Sequence, residues 1–214
     1  MNDPFLLACH VASKVCHDVI APAGVINQTL EMLDMPLDAE ARQNYEQLLT
    51  ETSDAMARRL NFLRFVFGTQ GLASEPANIG ELKQLAEGYA GLYKPTLGWS
   101  LEATDLSHAH MRMLLLMVMI GMDGLAWGGD ILAASRRDES GALTLSVEGK
   151  AKRVDFRDGL RQAVHGEAPA DRQEARNIHP VFAHMLAVRL GSRMRCEMSE
   201  THLRLETAGI ETDG

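Results

Sequence analysis

The sequence predicts an α+β protein: a long N-terminal helical hairpin, then a sandwich in which helices and short strands alternate. Three observations carry this. Two amphipathic runs, 3–34 and 38–67, meet at the short break DMPLD (34–38). A stretch rich in small residues, GTQGLASEPA (68–77), follows them. Beyond it, helix-period and strand-period patterns interleave to the C-terminus.

The first run has apolar residues at 8, 12, 15, 19, 26, 30 and 33, spacings of three and four that mark one face of a helix. Pro36 stops it and Asp38 is placed to cap the next helix. The second run repeats the pattern with Tyr45, Leu48, Leu49, Thr52, Met56, Leu60, Leu63 and Val66 or Phe67. So short a turn makes the pair antiparallel. One hairpin cannot bury both apolar stripes, so a homodimer is expected in which two hairpins form a four-helix bundle. The expected layout is a dimerising hairpin at 1–68, a linker at 69–77 and a second unit at 78–214.

In the second unit Asn78 and Glu81 have capping-box spacing for a helix over 79–93. KPTLGWSLE (94–102) reads as a strand led in by Pro95, and a Met- and Leu-rich helix over 106–127 is expected to end at a Gly128-Gly129 cap. DILAASRR (130–137) and ALTLSVEG (142–149) alternate around a Ser-Gly turn and predict a hairpin. Helices over 155–165 and 177–191 precede a last hairpin, RMRCEMS and THLRLETA. No internal repeat interrupts this plan.

Composition narrows the function. Hydrophobic residues make up 46% and charged residues 23%, ordinary for a water-soluble domain. A formal charge of -8 and a pI of about 5.5 are a poor match for a nucleic-acid binder, which carries a basic footprint. Cys9 and Cys16 stand two helical turns apart, and with Cys196 they make no disulfide framework. No secretory leader is read at the N-terminus. The most apolar stretch, 111–127, is interrupted by Gly121, Asp123 and Gly124, and reads as a buried core helix rather than a membrane span. A cytoplasmic, reducing setting is expected.

The chemistry concentrates in VCHDVIAP (15–22). Helical geometry sets His17 about 160° from Val15 and Val19, away from the apolar stripe and toward solvent. The same face carries Ser13, Lys14, Ala21 and Gly24, and the small residues at 21 and 24 leave room beside the ring. A lone histidine on a helix is most often an idle surface residue. Here Asp18 adjoins it and is able to orient the imidazole or take its proton. Pro22 also deprives the Asp18 carbonyl of its helical hydrogen bond, at a cost of about 3 kcal/mol for an interior proline. Histidine can present a neutral ring nitrogen as a nucleophile at cellular pH.

His-Asp-x-x-x-Pro on the first helix of a dimerising hairpin resembles the phosphoacceptor box of two-component histidine kinases. The longer string VCHDVIAPAGVINQTLEML, with FLRFVFG (62–68) and KPTLGW (94–99), is similar to the ChpT family of histidine phosphotransferases of alphaproteobacteria. That resemblance implies a dimeric four-helix bundle followed by a degenerate histidine-kinase-ATPase-like α/β sandwich. It implies a relay: the receiver domain of a CckA-like hybrid kinase gives its phosphoryl group to His17, which passes it to the aspartate of CtrA- or CpdR-like response regulators in cell-cycle control. The resemblance also implies that the chain needs no cofactor of its own and that Mg²⁺ comes with the receiver. Asp18 would orient the ring. Lys14 fits either stabilisation of the moving phosphoryl group or a solvated surface lysine. Arg58, Arg59 and Arg64 fit either docking of an acidic receiver or the ordinary polar face of the second helix.

An ATP-dependent kinase would need an asparagine for Mg²⁺, an Asp-x-Gly-x-Gly turn and a glycine-rich lid. MRMLLLMVMIGMDGLAWGG has no asparagine, Asp123-Gly124 stands alone, and APADRQEARNIHP has no glycine. Loss of ATP binding is therefore expected, with an active kinase and a non-catalytic dimeric scaffold as the competing readings. Neither His108 with His110 nor His179 with His184 has the spacing of a metal site.

Overall fold

The computed structural model describes residues 4–69, 76–155, 160–166 and 178–210. Helices α1 (Pro4–Leu33) and α2 (Ala39–Phe67) form the hairpin. Asp38 caps α2 as expected, its carboxylate accepting from the Ala41 N–H at 2.8 Å. Across the turn, Arg42 donates to the Leu33 carbonyl at the end of α1. The hairpin does not bury its own apolar stripes. The buried side chains of α1 are Lys14 and Thr29, while Ile20 is 68% and Leu30 46% exposed. On α2, Leu48 and Leu60 are exposed as well.

The last turn of α2 behaves differently. Phe62, Leu63, Phe65 and Val66 are buried in one continuous core with α3 (Ile79–Ala90) and α4 (His108–Gly124). The Phe62 ring stacks on Tyr89 with centroids 3.8 Å apart. Near its N-terminus, α1 also rests on the second unit: Leu7 and Val11 pack on Ala163 of α5 (Leu160–Val164) and on Ile178 and Val181 of α6 (Ile178–Arg189).

Five strands make one sheet, β1 (Thr96–Leu101), β2 (Asp130–Arg137), β3 (Leu143–Lys150), β4 (Arg193–Met198) and β5 (His202–Ile210), in the order β1-β2-β3-β5-β4. β1 and β2 run parallel and the other pairs antiparallel. Alternation sends Ile131, Leu145, Val147, Leu203, Leu205 and Met194 to the core. The other face is polar, where Arg204 bridges Glu148 and Glu206. α4 lies on the inner face and is buried on every side from Met111 to Met122, which explains its unbroken apolar run. Among the described residues, the helix long and apolar enough by composition to cross a membrane is instead α1, of mean hydropathy 1.2.

Some boundaries differ from expectation. α4 is capped at Leu125, and Gly128 and Gly129, at φ +106° and +139°, form the turn into β2. A Cβ on Gly129 would collide with the Lys150 carbonyl oxygen, so the glycine serves the turn rather than the cap. The expected linker falls largely on 70–75, outside the described residues; of the expected 155–165 helix, 156–159 also lie outside them, and the described part is the short α5. The same holds for most of APADRQEARNIHP.

The cysteines show the same division between surface and core. Cys9 and Cys16 are exposed, whereas Cys196 is buried and burial pushes its thiol up to about 11. A thiol reagent at neutral pH is expected to label Cys196 only after denaturant is added, a difference that intact-mass spectrometry reads directly.

Candidate functional site

His17 sits in the middle of α1, its side chain 53% exposed, at the mouth of a cavity of about 320 Å³. Lys14, Asp18 and Ala21 line the cavity from α1, and Arg59 from α2. Tyr93, just beyond α3, and Asp123, near the end of α4, close it from the second unit. The site is thus built where the hairpin meets the sandwich.

The Asp18 side chain is only 11% exposed and holds two partners. Lys14 Nζ lies 2.9 Å from Oδ2 and 3.1 Å from Oδ1, an i,i+4 pair. His17 Nδ1 lies 3.2 Å from Oδ1. A carboxylate only accepts hydrogen bonds, so the ring proton belongs on Nδ1. In the neutral ring Nε2 then carries the free lone pair. That is the electronic state a nitrogen nucleophile needs.

Lys14 corrects one expectation. It is not a solvated surface lysine on the face of His17: the residue is 8% exposed, and its charge is held against Asp18. Helical phase alone placed Lys14 beside His17, and the two do line one cavity, but Lys14 is buried and paired while the His17 side chain stays half exposed.

α1 continues as helix through Pro22. The carbonyl that Pro22 leaves without its helical donor, that of Asp18, accepts from Arg59 Nη1 at 3.2 Å. The other two arginines stand elsewhere. Arg58 is exposed and lies along α3, its Cδ 3.5 Å from where a Cβ of Gly88 would be. Arg64 is exposed in the last turn of α2. Neither lines the cavity, nor do Ser13 and Gly24; Ser13 is exposed and Gly24 has open space around it.

Tyr93 and Asp123 were not identified from the sequence as parts of the His17 site. The signal available was slight: Tyr93 immediately precedes KPTLGW, and Asp123 stood out only as a lone Asp-Gly. The Tyr93 hydroxyl is 2.7 Å from that of Tyr89, and burial raises the ionisation of both above the ordinary tyrosine range. Tyr93 therefore offers the cavity a neutral hydroxyl. Asp123 and Tyr93 also line a larger neighbouring cavity of about 470 Å³, with Lys94, Asp155, Leu160 and His179. There, buried His179 places Nε2 3.3 Å from Asp123 Oδ2. His110 serves the start of α4, its Nδ1 accepting from the Ser107 N–H in a capping box. Among the described residues, no three His, Cys, Asp or Glu side chains are grouped to hold a metal.

Comparison with known proteins agrees with this architecture. Residues 79–202 match the family described as the histidine phosphotransferase C-terminal domain. The protein phosphotransferase ChpT of Brucella abortus (strain 2308) is 26% identical over 189 residues, 88% of each chain. A solved structure of a bacterial phosphotransferase superposes with a TM-score of 0.82 at 22% identity, covering 97% of this chain and 98% of that one. The Acinetobacter baumannii histidine kinase AdeS shares the fold more distantly, with a TM-score of 0.50 at 11% identity over 92% of this chain and 98% of that chain. With more than half of its length inside the family match, and with the hairpin and five-stranded sandwich in place, the chain belongs to the histidine phosphotransferase family and is of the ChpT type.

Proposed function

We propose that this histidine phosphotransferase works through His17, in a relay from a receiver domain to a response regulator. The observation that carries the reading is the pose of the ring: half exposed, with Nδ1 turned to Asp18 and Nε2 free. Nε2 attacks the phosphorus of the receiver's aspartyl phosphate in line. The P–N bond forms as the acyl P–O bond breaks, and the receiver carboxylate leaves with the electron pair. The ring then bears positive charge, which Asp18 offsets through the Nδ1 proton. In the second step the regulator's aspartate attacks the phosphorus and the P–N electrons return to Nε2.

Mg²⁺ enters with the receiver rather than from this chain. Ser13, Ala21 and Gly24 leave an open flank for the receiver, and Arg58, Arg59 and Arg64 add positive charge along α2. Lys14, in the cavity wall, adds positive potential near the phosphoryl group. The exposed Ile20, Leu30, Leu48 and Leu60 favour a homodimer in which a second hairpin covers them. A CckA-like hybrid kinase upstream, CtrA- and CpdR-like regulators downstream, a cell-cycle role and a cytoplasmic setting complete the proposal.

We read the chain as a protein-to-protein phosphotransferase without ATP-dependent kinase activity. The larger cavity beside α4 sets the carboxylates of Asp123 and Asp155 against Lys94 and His179, so it offers no surplus of positive charge for a triphosphate. Mixing the protein with a phosphorylated receiver is expected to move label onto wild type and not onto His17→Ala. Equal transfer to both would overturn the assignment, and transfer to neither would favour a scaffold. Label taken directly from ATP and Mg²⁺ would instead reveal a kinase.

A further inference from the structure

The interior proline and Arg59 are two halves of one device. Pro22 has no N–H, so the Asp18 carbonyl lacks its i+4 donor, and the pyrrolidine ring crowds that same oxygen. Uncompensated, a half-buried carbonyl would make this turn prone to fraying or bending. The turn in question carries His17 and Asp18. Arg59 comes from the opposite helix, 41 residues from Asp18 along the chain, and donates from Nη1 to the orphaned oxygen at 3.2 Å. Its Nε is buried without a hydrogen-bond partner among the described residues, so the guanidinium is held in place at some desolvation cost.

We propose that Arg59 is a positioning residue for His17: it supplies the hydrogen bond that Pro22 withholds from Asp18, and so fixes the backbone turn that aims the ring. This rests on His17 as the acceptor. It separates Arg59 from Arg58 and Arg64, which lie away from the cavity and retain only the docking role. The geometry gives each partner a reason. A plain helical N–H at position 22 would satisfy Asp18 locally, whereas the proline transfers that satisfaction to α2 and ties the reactive turn to the second helix.

A double-mutant cycle tests this. Pro22→Ala restores the local donor, which makes Arg59 redundant for Asp18. In the wild-type background, Arg59→Ala is expected to lower the maximal rate of phosphoryl uptake from a phosphorylated receiver about tenfold, equivalent to about 1.4 kcal/mol, with little change in the receiver concentration at half-maximal rate. In the Pro22→Ala background the same change is expected to cost less than about twofold, because the coupling is lost. Nitrogen NMR of the His17 ring supplies a readout independent of transfer. Arg59→Ala should shift the Nδ1 resonance in the wild-type background and leave it in place in the Pro22→Ala background. Arg59→Gln, which keeps an N–H donor and loses the charge, should recover part of the rate. Equal losses in both backgrounds, an effect confined to half-saturation, or rescue tracking charge alone would overturn the proposal and make Arg59 a docking residue. If His17→Ala still accepts phosphate, the acceptor assignment fails, while the NMR comparison still reports on Arg59.

Discussion

Asp18→Ala is expected to destabilise the protein by about 2–3 kcal/mol at neutral pH, and at the same time to slow phosphoryl uptake by more than about tenfold. The stability loss follows from Lys14. Its side chain is 10% exposed and its ammonium is held by Asp18 at 2.9 Å, so removal of the carboxylate leaves a mostly buried charge uncompensated. The cavity admits water to one side, which brings the cost below the range of about 3–5 kcal/mol for a fully buried pair. The rate loss has a separate origin, because the His17 Nδ1 proton loses its acceptor and the ring its preferred tautomer. Urea denaturation and single-turnover transfer measure the two effects. Adding Lys14→Met should restore most of the stability and none of the rate. Recovery of both together would mean that Asp18 acts only by neutralising Lys14.

Arg112→Met is expected to cost about 3 kcal/mol, the larger part through carbonyl groups left behind. Arg112 is 1% exposed near the start of α4's buried run, and burial pulls its ionisation down to about 10, still charged at neutral pH. It donates to the Phe65 carbonyl at 3.0 Å and to the Gly68 carbonyl, in the turn where α2 ends. Helix C-termini leave carbonyls without intrahelical donors, and this arginine serves as their partner from the neighbouring helix. A methionine fills much of the volume but donates nothing, so two acceptors lose their bonds. Calorimetric unfolding of the variant checks the magnitude. Arg112→Lys should recover only part: both bonds leave from one guanidinium nitrogen, Nη2, and the shorter lysine stem brings its ammonium less close to the two oxygens. An unchanged melting temperature for Arg112→Met would show that water replaces the guanidinium there.

Much of the architecture was legible because it depends on local regularities. Apolar spacing marked α1 and α2, Asp38 and Asn78 marked helix starts, and alternation marked β2, β3, β4 and β5. The pattern was less informative where the ends of elements depend on non-local neighbours. Gly128-Gly129 looked like a cap, yet the backbone of Lys150 makes the second glycine necessary. Arg112, an arginine inside a Met- and Leu-rich run, gave no hint of the two carbonyls it serves.

The sequence alone determined the element that carries the proposed acceptor: a His-Asp-x-x-x-Pro helix in a hairpin, with the histidine phased away from the apolar stripe. Adjacency and a period of about 3.6 are properties of the chain, so they can be read from it. Only the tertiary structure decided what surrounds that histidine. It buried Lys14, chose Arg59 among three arginines, and brought Tyr93 and Asp123 from the second unit. Those outcomes depend on which flank of α1 another element covers. Burial and through-space distance are created by packing, and local periodicity carries no record of them.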